Sequence, residues 1–357
     1  MRSWPKPRKS SGSSGSERRR RVTSVSAKFR IAVTGDYERL ALRAVPWTSL
    51  GDDVEVVAFH EPFNAVRSTA EALRDFDAVT LMHERVALTR EVIEQLPRLK
   101  IIVFNGRKNA ELDDQAAAAR NILVCRSNPN FEIPAGEPGG KSPSELTLAL
   151  LLSCAWRTGP MTTLIRTGGW AAQAGLALRG KVLGILGYGS VGKPVARMAS
   201  ALGMHILVFS RSLTVEDARA ANVTRADLDT VLKNSDAISL HLPLNASTRR
   251  LIGKEQIAQM KDGVILINTA RAAIVDEGPF IDALRWRKIA MAGLDVFWQE
   301  PLPEDHPLMD IPNLVMTPHI GYATAETMVV RYQGQLETLL GYRQGRIIGR
   351  YSSHAVA

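Results

Sequence analysis

Cysteine is scarce in this chain, whose 357 residues include only Cys125 and Cys154. Two cysteines cannot build a disulfide framework, and neither belongs to a C-x-x-C redox or zinc motif. We therefore interpret both as inert buried thiols and expect a reducing compartment, the cytoplasm. No apolar run approaches the roughly 20 residues of a membrane-spanning helix, so we expect no membrane association.

Acidic residues are almost missing from the start of the chain. Residues 1–30 hold ten basic residues and one acid, Glu17, and so carry the entire formal net charge of +9. This Ser- and Arg-rich segment has few side chains that could form a core, so we expect residues 1–27 to be a disordered tail. Two alternative interpretations of the tail are a targeting segment and a tether to nucleic acid or to a membrane. For the formally neutral folded body we expect no nucleic-acid partner.

From Phe29 onwards, short apolar runs alternate with helical patterns, which is typical of α/β folds with parallel sheets. The length favours two domains. We assign residues 28–142 together with 323–357 to one domain, and residues 143–322 to the other. Helices are predicted at 64–74, 89–95, 111–120, 144–166, 195–202 and 324–342, and a proline- and glycine-rich loop at 129–143. Strands are predicted at 29–34, 54–59, 78–82, 100–104, 122–126, 181–186, 205–209, 237–240, 264–268, 290–295 and 314–316.

A glycine-rich segment follows the first strand of the second half. It reads Gly187, Tyr188, Gly189, Ser190, Val191, Gly192 and precedes a helical pattern. The first glycine permits a tight turn, the second lets the backbone approach a pyrophosphate, and the third lets helix and strand pack closely. Backbone N–H groups and the positive end of the helix then bind the anion. The segment therefore predicts a dinucleotide site.

The next strand ends without the acidic residue that usually binds the ribose hydroxyls of NAD. Ser210, Arg211 and Ser212 stand there instead. A carboxylate would repel a 2′-phosphate, whereas hydroxyls and a guanidinium bind one. We therefore expect an NAD(P) cofactor and favour NADP(H). A solvated Arg211 in an enzyme that uses NAD is the alternative.

Five ordered segments resemble the D-isomer-specific 2-hydroxyacid dehydrogenase family. They are the glycine-rich segment, His241–Leu244, Ile267–Arg271, Gly293–Phe297 with Glu300 and Pro301, and Thr317–Gly321. The resemblance implies two flavodoxin/Rossmann-like parallel-sheet domains with the active site in the cleft between them. It also implies a homodimer that reversibly reduces a small 2-keto acid, such as glyoxylate, hydroxypyruvate or pyruvate, to the D-2-hydroxy acid.

The resemblance assigns the catalytic roles to Arg271, Glu300 and His319. A planar guanidinium at Arg271 suits a carboxylate next to a ketone, and His319 is suited to donate a proton to the ketone oxygen. Glu300 would favour the protonated imidazole. Each residue alone also fits a structural role: a surface ion pair, a turn, and a buried histidine, respectively.

The same resemblance places further residues at the cofactor and the substrate. Asn105 and Gly106 are the candidates for binding the substrate carboxylate through a loop. The pattern calls for no metal ion. The additional cofactor candidates are Leu242, Pro243, Thr248, Thr269, Ala270, Asp295 and Gly321.

Two other functions remain open. Formate dehydrogenases share the architecture, although a glutamine accompanies their histidine where this chain has Glu300. A dinucleotide-sensing, corepressor-like binding protein is the second alternative, from a different functional class.

Overall fold

The first of two sheets in the computed structural model is five-stranded and entirely parallel. The structure describes residues 28–63, 65–106, 108–128, 142–171 and 173–352. The strands are β1 (Phe29–Thr34), β2 (Val54–Ala58), β3 (Ala78–Leu81), β4 (Ile101–Phe104) and β5 (Leu123–Arg126). Their spatial order is β2-β1-β3-β4-β5. All five predicted strands of this half are confirmed to within one residue at either end.

The second sheet has seven parallel strands in the order β12-β11-β10-β9-β6-β7-β8. The sequence predicted six of them and missed β8, an edge strand of two residues. Strand order reverses around β6, so the loops after β6 and β9 flank a crevice of the kind that binds dinucleotides. The strands are β6 (Val182–Leu186), β7 (His205–Phe209), β8 (Thr224–Arg225), β9 (Ala237–Leu240), β10 (Val264–Asn268), β11 (Ile289–Leu294) and β12 (Leu314–Met316).

Helices cover both faces of each sheet. Within the described ranges, none is long and apolar enough to cross a membrane. The helices are α1 (Ala41–Ala44), α2 (Val66–Leu73), α3 (Arg90–Ile93), α4 (Asp114–Ala119), α5 (Ser142–Ala155), α6 (Thr158–Arg166), α7 (Gly192–Ala201), α8 (Val215–Ala220), α9 (Leu228–Asn234), α10 (Lys254–Gln259), α11 (Glu277–Arg285) and α12 (Ala325–Arg343).

Both faces of the sheets are buried, which explains why their strands are continuous apolar runs. On β4, Ile101 and Val103 belong to one core cluster, and Ile102 and Phe104 belong to the cluster on the opposite face. The C-terminal helix α12 returns to the first sheet and packs its Tyr332 into the same cluster as Ile101.

The single helix predicted at 144–166 is wrong, because the structure has two helices there. Arg157 separates α5 from α6 and adopts a left-handed conformation, φ 54°. A proline inside a helix clashes with the carbonyl four residues earlier, so Pro160 is tolerated only in the first turn of a new helix. The loop predicted at 129–143 lies largely outside the described residues, and its last two residues, Ser142 and Pro143, already belong to α5. The predicted tail, residues 1–27, also lies outside them.

Candidate active site

The glycine-rich loop connects β6 to α7. Gly187 has φ +101°, and a Cβ atom there would lie 2.6 Å from the carbonyl oxygen of His241. A Cβ on Gly192 would contact the carbonyl of Gly187, whereas the space beside Gly189 is open. The N-cap residue of α7, Val191, makes no capping side-chain hydrogen bond to the helix. A close backbone approach beside a helix N-terminus fits a pyrophosphate.

A cavity of about 590 Å³, here called the dinucleotide cavity, opens at this loop. No carboxylate is among its described lining residues. Thr248 orders one wall, because its hydroxyl donates to the Pro243 carbonyl at 2.6 Å and accepts the N–H of Asn245 at 2.9 Å. Sequence reasoning missed four lining residues: Phe209, His241, Ser247 and Leu251. The predicted cofactor residues that line it are Gly187, Tyr188, Gly189, Ser210, Arg211, Ser212, Leu242, Pro243 and Thr248.

The loop after β10 carries Thr269, Ala270 and Arg271. The buried side chain of Asn268 shapes it by accepting the Ala270 N–H and donating to the Arg271 carbonyl, both at 3.0 Å. The Thr269 hydroxyl lies 2.8 Å from that of Thr147 on α5. The Arg271 guanidinium is exposed and donates to the Ala270 carbonyl at 2.7 Å.

Asp295, directly after β11, is buried and holds the loop that follows β12. Its carboxylate accepts hydrogen bonds from the Thr317 hydroxyl at 2.6 Å and from the N–H groups of Ile320 and Gly321 at 2.8 and 2.9 Å. Burial nevertheless raises the pKa of Asp295 above its usual value. These bonds fix the segment in which His319 lies, so Asp295 positions that segment. Its predicted contact with the cofactor stays a prediction.

His319 and Glu300 form a hydrogen-bonded pair, with Nδ1 2.6 Å from Oε2. The other carboxylate oxygen of Glu300 accepts the N–H of Phe297 at 2.8 Å. Burial lowers the pKa of His319, but the hydrogen bond and charge of Glu300 outweigh it, so the pKa lies above its usual value. Burial raises the pKa of Glu300, but the bond to His319 outweighs it and the pKa is lowered. The pairing leaves Nε2 to exchange a proton with a ligand.

The backbone of His319 adopts φ 54°, an uncommon conformation for a residue with a side chain. The charge of Arg271 contributes to lowering the pKa of both His319 and Glu300. The three predicted catalytic side chains therefore lie within electrostatic reach of one another.

A second cavity, of about 470 Å³ and here called the substrate cavity, lies against His319 and Glu300. Its walls come from both halves of the chain, so it lies in a cleft between the two sheets. The Tyr322 ring lies 4.0 Å from the His83 ring, and its hydroxyl accepts a hydrogen bond from Arg85 Nε at 2.7 Å. Sequence reasoning missed His83 and Arg85, although both lie just after β3, at the sheet edge where ligands bind.

The substrate-loop candidates lie at the end of β4. The Asn105 N–H donates to the Leu81 carbonyl at 3.3 Å, and its buried side chain bonds to Ser127 and Gln335. Gly106 is exposed with φ +103°, and a Cβ there would lie 3.7 Å from His83 Nδ1. Asn105 therefore anchors the loop, and Gly106 faces outward.

Two further expectations concern cysteines and metals. Cys125 and Cys154 are both buried and free, and burial raises their pKa values to about 11 and about 12. Such thiols are poor nucleophiles at neutral pH. Across the described ranges, no group of three or more His, Cys, Asp or Glu residues is placed to hold a metal ion.

Residues 148–321 match the family model of the D-isomer specific 2-hydroxyacid dehydrogenase, NAD binding domain. A hydroxypyruvate reductase of Thermotoga maritima is 39% identical to the chain, over 70% of the chain and 79% of that protein. A glyoxylate reductase of Aeropyrum pernix is 36% identical, over 83% of the chain and 88% of that protein. The crystal structure of an oxidoreductase from Ralstonia solanacearum superposes with a TM-score of 0.79 at 32% identity, covering 92% of the chain and 98% of that structure.

Proposed function

Because the chain belongs to the D-isomer-specific 2-hydroxyacid dehydrogenase family, we propose that it reduces a small 2-keto acid at the pair formed by His319 and Glu300. The chain is an NAD(P)-dependent oxidoreductase of that family, and the reaction yields a D-2-hydroxy acid reversibly. The 2.6 Å hydrogen bond between His319 and Glu300, at the substrate cavity, is the observation that carries the assignment of residues.

In the proposed reaction each residue has a separate role. The residues of the dinucleotide cavity would hold a reduced nicotinamide dinucleotide, which would supply the hydride. Arg271 binds the substrate carboxylate and polarises the adjacent ketone, helped by the exposed backbone of Gly106. His319 donates the Nε2 proton to the ketone oxygen as charge develops there, and accepts it back in oxidation. Glu300 stabilises the imidazolium and fixes the ring through Nδ1.

The preferred cofactor in this proposal is NADP(H). Arg211, between two serines whose hydroxyls lie 3.4 Å apart, is exposed at the rim of the dinucleotide cavity. A guanidinium and two hydroxyls form a suitable set for a 2′-phosphate. The lack of a carboxylate among the described lining residues of this cavity supports the same preference.

The proposed assembly is a homodimer that covers the exposed surface of α6. This helix has no buried residue, and Ile165 on it is 59% exposed. Trp156 and Trp170 flank it and are 59% and 86% exposed. Large exposed apolar side chains concentrated in one stretch are typical of an interface.

The proposed domains are residues 28–142 with 323–357, and residues 143–322. The packing of α12 on the first sheet supports this division.

The proposal is tested by following oxidation of NADH and NADPH with a panel of 2-keto acids. At least one acid should be reduced, and the product should be the D enantiomer where it is chiral. Arg271→Ala should raise KM for the acid about 10- to 100-fold, because a hydrogen-bonded ion pair is lost. If neither cofactor is oxidised with any acid, the proposed function is wrong.

A further inference from the structure

The substrate cavity has largely apolar walls that solvent reaches. Phe297, Leu302, Met309 and Met316 line it from one half of the chain, and Tyr37 lines it from the other. Met309, Tyr37 and Met316 are 53%, 38% and 37% exposed, so three of the large exposed apolar side chains of the described chain meet at this one cavity. An exposed apolar patch of this kind inside a concave site is typical of a binding pocket for an apolar group.

The cationic groups of the walls are compensated within the protein. Both terminal nitrogens of Arg85 bind Glu38, at 2.6 and 2.7 Å, and its Nε binds Tyr322. Burial, together with the charges of Arg331 and His319, lowers the pKa of His83 to about 2, so His83 is neutral. Glu84 and Glu300 add carboxylates to the lining. Among the described lining residues, the cavity therefore offers a phosphate group only cations that are already paired.

The size of the cavity also favours a bulky apolar group. Small-molecule sites measure roughly 300–1,000 Å³, and this one has about 470 Å³. The hydrogen of glyoxylate or the hydroxymethyl group of hydroxypyruvate would leave most of it to water. A benzyl or isobutyl group would displace that water from apolar walls, and this displacement is the favourable part of apolar binding.

We propose that the substrate cavity receives the side chain of the keto acid and selects bulky apolar side chains, branched aliphatic or aromatic, over glyoxylate, hydroxypyruvate and phosphorylated keto acids. This inference rests on the proposed function and names its substrate class. Met309 and Met316 on one wall and Tyr37 on the other are the specificity-determining residues.

The test compares kcat/KM for phenylpyruvate, 4-methyl-2-oxopentanoate, glyoxylate, hydroxypyruvate and 3-phosphohydroxypyruvate. One methylene group in an apolar pocket changes kcat/KM by roughly 10- to 200-fold. We expect the two apolar acids to exceed the other three by at least about 10-fold.

Met309→Lys places an amine on the apolar wall at an exposed position, where it should not disturb folding. It should lower the ratio of kcat/KM for phenylpyruvate to that for glyoxylate by at least about 10-fold. Met309→Leu, which keeps the apolar volume, should preserve the ratio. Val215→Lys adds the same charge at an exposed position on α8, outside the cavity, and should also preserve it.

Two outcomes separate this inference from the proposed function. If glyoxylate or hydroxypyruvate is the better substrate, or if Met309→Lys changes all acids equally, the inferred substrate class is wrong and the reductase activity stands. If no acid is reduced with either cofactor, both the inference and the proposed function are wrong.

Discussion

Glu300 is the neighbour that raises the pKa of His319 most, and Asp295 adds a smaller effect in the same direction. Burial alone would make His319 a weaker base than a free histidine, and the hydrogen bond and charge of Glu300 reverse that effect. Reduction needs the imidazolium, and oxidation needs the neutral ring. We therefore propose that the Glu300 carboxylate sets the pH range in which each direction of the reaction runs.

We predict that Glu300→Gln moves the alkaline limb of the pH profile for reduction to lower pH. Without the carboxylate, burial dominates and the pKa of His319 falls, so protonated enzyme is lost at lower pH. The oxidation reaction should retain its rate to lower pH for the same reason. The measurement is kcat/KM against pH in both directions, and identical profiles for variant and wild type would show that Glu300 does not tune His319.

The same pair contributes to stability in a defined pH window. The raised pKa of His319 gives stabilisation that is complete below the unfolded pKa and is lost as pH rises through the folded pKa. The lowered pKa of Glu300 gives stabilisation that is complete above its unfolded pKa and is lost as pH falls through the folded pKa. The pair therefore stabilises the fold between the folded pKa of Glu300 and the folded pKa of His319.

Arg211→Ala tests the cofactor preference. Loss of a charge-assisted contact with the 2′-phosphate should lower kcat/KM for NADPH by roughly 10- to 100-fold and leave that for NADH nearly unchanged. Arg219→Ala, an exposed arginine on α8, is the matched control and should change neither. A wild-type preference for NADH that Arg211→Ala does not alter would refute the phosphate contact.

Motifs with a fixed order predict which side chains lie close together better than isolated side chains do. Arg271, Glu300 and His319 lie in such motifs, and the structure brings them within electrostatic reach of one another. Arg85 gave no such signal, because its partners Glu38 and Tyr322 are 47 and 237 residues away along the chain. Only the tertiary fold brings these three together.

At the level of elements, the loop between β6 and α7 combines two different uses of glycine. Gly187 is required by the backbone, since its φ is positive and a Cβ would meet the carbonyl of His241. Gly189 has open space on its Cβ side. Gly187 is therefore required by the backbone, and we propose that Gly189 leaves room for a ligand to approach.

We predict different effects for two alanine substitutions in this loop, one on cofactor binding and one on stability. Gly189→Ala should leave the free energy of unfolding within about 0.5 kcal/mol of wild type, as most surface substitutions do. It should raise KM for the cofactor at least about 10-fold, because the methyl group occupies the path of the pyrophosphate. Gly187→Ala should cost about 1–3 kcal/mol of stability through backbone strain. Urea unfolding measures the stability of both variants, and steady-state kinetics measure KM for the cofactor. A destabilised Gly189→Ala protein with normal KM would contradict the separate roles of Gly187 and Gly189.

Most strands and helices could be predicted because the residues that determine them are close together in the sequence. Strands buried on both faces are unbroken apolar runs, as in β4, and Thr324 caps α12 by accepting the Thr327 N–H. The break between α5 and α6 was missed, because helical composition continues across Arg157 and only the position of Pro160 marks a new first turn. The two-residue β8 is too short to leave a periodic pattern.

For the whole molecule, we predict a dimer whose mass is twice the 39.1 kDa of the chain. Ile165→Asp on α6 should produce monomers, because it buries a charge in an apolar interface. Val215→Asp, at a position 62% exposed on α8, is the control and should remain dimeric. Sedimentation equilibrium measures both, and a monomeric wild type would refute the proposed assembly.

For the whole chain, the order of its segments was sufficient to predict the architecture. Alternating apolar and helical segments predicted two parallel sheets, and both are present. The shape of the substrate cavity was beyond such reasoning, because its walls combine residues as distant as Tyr37 and Met316.

In the proposed reaction, His319 protonates the ketone oxygen as hydride is transferred in this cleft. A single-turnover measurement tests it most directly: enzyme loaded with reduced cofactor is mixed with a 2-keto acid, and the loss of nicotinamide fluorescence is followed. We predict that His319→Ala slows this step by roughly 10²- to 10⁴-fold while the Kd of the cofactor stays unchanged. A His319→Ala enzyme that transfers hydride at the wild-type rate would contradict the account.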